Sequence, residues 1–192
     1  MSILRDHTNE KHRAVENTDF VQYLLHGNIT ADDYAVYLQQ FYAIYNAIEH
    51  HAEISGMLTD LPDIKRADRI KLDIEELGYS VLPEEELLPA VQKWCQRIRD
   101  LYATDRRDQI FAHVYVRHMG DMYGGKVIAK RIPGSGNCYQ FEDRPGLIKV
   151  FDSKLSMDLL DEALLAFDLA GDLFTELQQE LNNDNRRKND GS

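Results

Sequence analysis

Apolar and aromatic positions recur at steps of three and four along nearly the whole chain, and alternation by twos is essentially absent. That periodicity predicts a run of α-helices. Ser2 can cap a first helix reaching about Asn17, and Asp19 to Leu25 reads as a short second one before the turn at Gly27-Asn28. Thr30 followed by Asp33 resembles a capping box and opens a long helix from Ala31 to about Ser55. Further helices are expected at about 63–77, stopped by Gly78, at 84–103, and at 106–131, stopped by Pro133. The stretch PGSGNCYQFEDRPG reads as a turn-rich loop, with a possible short strand at Asn137–Phe141. Two last helices, about 146–154 and 157–182, complete an all-α domain over residues 1–182, and 183–192 reads as a polar, disordered tail.

Two stretches break the ordinary amphipathic pattern. Tyr34, Tyr37, Phe41, Tyr42 and Tyr45 line one broad face of the long third helix, which suits core packing provided that buried hydroxyls find partners. In YVRHMGDMYGGKVIAK, Tyr115 to Lys130, Gly120, Gly124 and Gly125 interrupt a helical run. Three interior glycines weaken a helix by about 2 to 3 kcal/mol on propensity alone, so the stretch is either a helix that ends at Gly120 or one kept for a purpose.

At 192 residues the chain suits a single domain with a substantial core. No uncharged run is long enough to cross a bilayer and the N-terminus lacks a signal-like apolar core, so a cytoplasmic protein without a membrane role is expected. Two cysteines, Cys95 and Cys138, cannot form a disulfide framework, and no Cys/His spacing suggests zinc. The net charge of −11 argues against a nucleic-acid partner. The charge is uneven, however: from Arg97 to Arg131 eight Lys/Arg face four Asp, a net of +4, either a solvated helix face or a docking patch for an acidic partner.

Among seven histidines His12 has distinctive company. Arg5, Thr8/Asn9, His12 and Glu16 fall at steps of three or four on one stripe of the first helix. Glu16 can take the Nδ1 proton and leave Nε2 free for a metal, and Arg5 can meet a carboxylate carried by whatever holds that metal. A carboxylate-bridged di-iron bundle needs Glu-x-x-His pairs, and none is present. One histidine suits haem, whose porphyrin supplies four nitrogens, and glycines without Cβ atoms would let a helix lie close to that flat ring.

LRDHTNEKHRAVEN and AHVYVRHMGDMYGGKVI, with FYAIYNAIE and LLDEALLAFDLAGDLFTEL between and beyond, resemble the proximal and distal haem helices of the haem oxygenases. The resemblance spans nearly the whole chain and implies a soluble haem-degrading monooxygenase, in which haem is substrate and cofactor together. O₂ and an external electron donor would open it to biliverdin, the α isomer, with CO and ferrous iron. His12 would be the proximal iron ligand and Glu16 its partner. Gly120, Gly124 and Gly125 would form the distal helix, with Asp121 holding a water network that includes Tyr45 and Arg117. Arg5, Tyr115 and Lys149 would meet the propionates, and Phe167 and Phe174 would pack the pocket. Ser153 stands where the family pattern places an orienting arginine. The donor would be an acidic ferredoxin or flavodoxin, or a reductase, and the protein a monomer. Two other readings compete: a haem-storage protein, which needs no distal carboxylate, and a thiol enzyme on a related all-α fold, which needs an activated cysteine.

Overall fold

The computed structural model describes residues 3–190, with side chains through 183. Its helices are α1 (Arg5–Glu16), α2 (Asp19–His26), α3 (Ala31–Ile54), α4 (Ala67–Glu76), α5 (Pro89–Ala103), α6 (Ile110–Ile128), α7 (Arg144–Lys154) and α8 (Leu160–Asp190), joined by short 3₁₀ turns. No strand occurs among the described residues. Helix α3 packs on α4, α5 and α6, while α8 packs on α1, α2, α5 and α6. The aromatic stripe of α3 lies at the centre of this assembly: Tyr34, Tyr37, Phe41 and Tyr45 are all buried, and Tyr37 meets the Tyr139 hydroxyl at 3.3 Å.

The ends of the elements follow from where backbone N–H groups find acceptors. Thr30 Oγ1 accepts from Asp33 N at 3.1 Å, but the Asp33 carboxylate accepts from Tyr23 instead of closing a capping box. Ser2, the expected cap of the first helix, lies outside the described residues. Helix α4 begins later than position 63 because Glu49, from α3, accepts from Arg66 N at 2.5 Å and Ala67 N at 3.0 Å, an external carboxylate at a helix N-terminus. Gly78, at φ 85°, ends the segment after α4. The possible strand at Asn137–Phe141 is a 3₁₀ turn over Asn137–Tyr139, since buried Asp73 accepts from Asn137 N, Asn137 Nδ2 and Cys138 N and leaves no ladder to build. Helix α8 runs past the expected stop at 182 to Asp190; the last two residues of the expected tail, and its side chains from 184, lie outside the described residues.

Helix α6 does not stop at Gly120 but continues through all three glycines to Ile128. Packing against both α3 and α8 outweighs the propensity cost. A buried polar knot anchors its first half. His113, fully buried, accepts from Trp94 Nε1 at 2.9 Å through Nδ1 and donates through Nε2 to Glu162 at 3.0 Å. Glu162 also accepts from Arg97 at 2.9 Å and Arg106 at 3.3 Å. Burial would raise the Glu162 carboxyl, but the bonds from His113 and Arg97 prevail and bring it to about 2, from an ordinary 4.5. The folded value is depressed, so this stabilisation is complete above pH 4.5 and lost as pH falls toward 2, at about 3 kcal/mol. Glu162→Gln should lower the melting temperature at pH 7 while flattening its decline between pH 5 and 2; an unchanged acid limb in thermal melts would count against the knot.

Candidate functional site

A cavity of about 480 Å³ opens between α1 and α6. Helix α1 contributes the polar wall: Arg5, Thr8, Asn9, His12, Arg13 and Glu16. Helix α6 contributes a flatter one, with Tyr115, Val116, Met119, Gly120, Tyr123 and Gly124, and Phe167 of α8 closes one end. The stripe read from the first helix therefore faces the glycine helix across a single space, of a size typical of ligand sites. Buried Tyr115 ties the two walls together, its hydroxyl 3.3 Å from Thr8 Oγ1.

His12 stands half-exposed at this cavity with Nδ1 3.3 Å from Glu16 Oε2. Phe167 presents an edge-on ring contact, centroids 5.9 Å apart. A carboxylate at that position can hold the Nδ1 proton and leave Nε2 free. Among the described residues no group of three or more His, Cys, Asp or Glu is placed to hold a bare metal ion. A metal arriving with its own equatorial ligands is the case this geometry fits.

The glycines divide into two roles. A Cβ built on Gly120 or Gly124 meets nothing within 4 Å, so each leaves open a cradle that a flat ring can approach. Gly125 does not line the cavity. Its Cβ would stand 2.8 Å from the Tyr139 ring, on the opposite face of α6, so glycine there serves the approach of α6 to the 137–139 turn. Gly124→Leu should keep the melting temperature and lose most haem affinity in a Soret titration. Gly125→Leu should instead lose about 1 to 3 kcal/mol of stability through overpacking. Equal failure of both in haem binding with equal melting temperatures would contradict the division.

Asp121 and Arg117 of α6 meet Tyr45 of α3, and all three are buried. Tyr45 donates its hydroxyl proton directly to Asp121 Oδ2. Arg117 lies over the Phe41 ring at 4.4 Å and the Tyr45 ring at 5.5 Å. Burial pushes the Asp121 carboxyl up, opposed by the Arg117 charge and the Tyr45 bond. Burial would lower the Arg117 guanidinium, but the surrounding Tyr45 and Asp121 raise it overall, so it stays charged. Arg117 Nε has no hydrogen-bond partner among the described residues.

Other expected residues are placed elsewhere. Lys149 is exposed on α7 and does not line the cavity. Phe174 stacks on Phe20 and packs on Phe41, both at 5.8 Å, and belongs to the core. The basic segment is less available than its count of charges suggests: Arg97 and Arg106 are committed to Glu162, Arg99 to Glu84, and Arg117 is buried. Lys126, Lys130 and Arg131 remain exposed, although Arg131 bonds the Leu25 carbonyl. Both cysteines are buried and free; burial pushes the Cys95 thiol up to about 11 and Cys138 well above its ordinary value, which suits no thiolate nucleophile. The Thr8–Tyr115 tie and the buried Glu49 and His118 pair, Nε2 to Oε1 2.8 Å, had no local signal in the sequence, because each pairs residues distant along the chain.

Comparisons with known proteins bear on the family and the fold. The family model described as heme oxygenase matches residues 1–143. Heme oxygenase 1 of Nostoc sp. is 28% identical, covering 93% of this chain and 85% of that protein. Heme oxygenase 1 of Homo sapiens is 25% identical over 95% of this chain and 73% of its own length. The heme oxygenase structure from Leptospira interrogans superposes with a TM-score of 0.79 at 27% identity, covering 92% of this chain and all of that one. With a single histidine facing a glycine helix and a family match over most of its length, this chain belongs to the haem oxygenase family.

Proposed function

We propose that the α1–α6 cavity holds haem and that the chain oxidatively degrades it to biliverdin, CO and ferrous iron, using O₂ and donated electrons. The observation that carries the reading is the shared cavity: His12 with its Glu16 partner on one wall, and the Cβ-free face of Gly120 and Gly124 on the other. Haem, as substrate, supplies the iron that binds O₂ and the ring that is opened. His12 Nε2 ligates from the α1 side. Arg5 and Tyr115, both lining the cavity, are the groups offered to the propionates. Asp121 Oδ2, holding the Tyr45 proton, organises the polar end of the distal side. A protein that only stored haem would have no use for that buried carboxylate. Incubating the protein with haem, O₂ and a reductant should replace the Soret band by a biliverdin spectrum; a stable haem complex under turnover conditions would favour storage.

Orientation rests on few charges. Ser153 bonds its own Val150 carbonyl at 2.6 Å, and Lys154 pairs with Asp60 at 2.7 Å, so this turn of α7 offers no free cation. Arg5 and Tyr115 then set the rotation of the ring, with the α isomer as the main product on chromatography. The electron donor is an acidic ferredoxin or flavodoxin, or the acidic face of a reductase, docking on Lys126, Lys130 and Arg131. Steering of this kind weakens as salt shortens the Debye length to about 8 Å. Lys126→Glu with Lys130→Glu should raise the donor's KM severalfold and flatten the salt dependence; unaltered kinetics would make the patch a solvated face. No described helix is long and apolar enough to cross a membrane. Two free, buried cysteines fit a reducing compartment, which supports work in the cytoplasm.

A further inference from the structure

Helices α3 and α6 are joined by two polar rungs, only one of which the proposed chemistry uses. Tyr45 and Glu49 stand one turn apart on α3, and His118 and Asp121 one turn apart on α6. The first rung is Tyr45 to Asp121. The second is His118 Nε2 to Glu49 Oε1, at 2.8 Å, with His118 fully buried and Glu49 nearly so. Glu49 is itself rigid, since Arg66 N and Ala67 N at the start of α4 hold both of its oxygens. The other nitrogen of His118 faces the Val114 carbonyl at 3.1 Å, and the ring lies edge-on to Tyr45 with centroids 5.0 Å apart. Two contacts of this imidazole therefore reach α3, one fixing the height of α6 against it and one touching the ring that bonds Asp121, while the third orients the imidazole within α6.

We propose that His118 is a positioning residue for haem degradation: bonded to Glu49, it sets the register of the glycine helix and the placement of the Tyr45–Asp121 pair. The arrangement resists drift because Glu49 is anchored to a third helix, and a shift of about 1 Å in a reacting geometry can cost a hundredfold in rate. A protonated His118 would also help to hold the Asp121 carboxyl down against burial, after Arg117 and Tyr45. The titratable and charged groups around Asp121 are Tyr37 and Tyr45 from α3, Arg117 and His118 on its own helix, Arg66 at the start of α4, and Cys138 and Tyr139 of the 137–139 turn, with Glu49 bonded to the far side of His118.

The inference rests on the haem-degradation reading, so its test includes a measurement on the haem-free protein. His118→Phe keeps the ring shape beside Tyr45 and deletes the donor; His118→Gln keeps a donor to Glu49 and deletes the imidazole. His118→Phe should bind haem with unchanged affinity and His12 ligation yet form biliverdin about tenfold more slowly, and His118→Gln should recover much of that rate. In haem-free protein, the Asp121 carboxyl titration followed by ¹³C NMR should move upward in both variants. Loss of haem affinity in step with turnover, or wild-type turnover in the Phe variant, would reduce His118 to core packing. Should the Phe variant fail to fold, the Gln variant decides: an unmoved Asp121 titration overturns the proposal. Absence of biliverdin from the wild-type protein would strike the functional reading, leaving the NMR result to judge the coupling.

Discussion

His12→Ala should abolish biliverdin formation and replace the histidine-ligated haem spectrum by one lacking a protein nitrogen. His113 spends both ring nitrogens on Trp94 and Glu162, and His118 faces Val114 and Glu49, both deep in the bundle. His51 faces the Ala47 carbonyl at 2.9 Å and packs on Tyr102, and His26 contacts the carbonyl of Gln22. Only His12 among the histidines lines the cavity opposite Gly120 and Gly124. Because its side chain is 47% exposed, truncation to alanine leaves a space that small molecules can reach. Added imidazole should enter it and partly restore the spectrum. Glu16→Ala should leave ligation in place and weaken haem affinity about tenfold, the usual scale for a partner that orients a metal-bound histidine. Normal haem ligation in the His12→Ala protein would remove the assignment of the proximal side.

Most of this architecture could be read along the chain because its causes are local. The Thr30 cap, the stop at Gly78 and the Arg5–His12–Glu16 stripe each depend on residues within a turn or two. What escaped reading depends on partners far away. The start of α4 is set by Glu49 of α3, and the 137–139 turn by Asp73 of α4; both are carboxylates capturing backbone N–H groups from another element, and nothing near either backbone announces it. The same holds for Gly125, whose need for a missing Cβ comes from Tyr139 rather than from the cavity. Charge counting misled for a related reason. Arg97, Arg106 and Arg117 contribute to a positive segment in sequence, but folding turns two of them onto Glu162 and buries the third over Phe41. Conversely the Asp121–Tyr45–Arg117 group was legible through resemblance to a family pattern, and the fold adds that Tyr45 reaches Asp121 directly.

Asp121→Ala should retain His12-ligated haem and lose biliverdin formation by on the order of a hundredfold, the scale on which positioned proton-handling groups act. The carboxylate is buried and does not line the cavity, so on the proposed reading it would act through the groups and water it orients rather than by ligating iron. Its removal deletes the acceptor of the Tyr45 hydroxyl and the counter-charge of Arg117 together. The buried Tyr45 hydroxyl would then lack its acceptor, a structural penalty of about 1 to 3 kcal/mol, and Arg117 would lose a nearby opposite charge. Thermal melts must therefore accompany the kinetics. Asp121→Asn separates the effects: its amide oxygen can still accept from Tyr45 and hold water, so it should be clearly less damaging than alanine, although the neutral group no longer balances Arg117. Tyr45→Phe should fall between the two, because Asp121 keeps its charge and loses its fixed donor. Geometry rather than acidity is thus predicted to govern the rate. An Asp121→Ala protein making biliverdin at the wild-type rate would show that this buried group serves the fold alone.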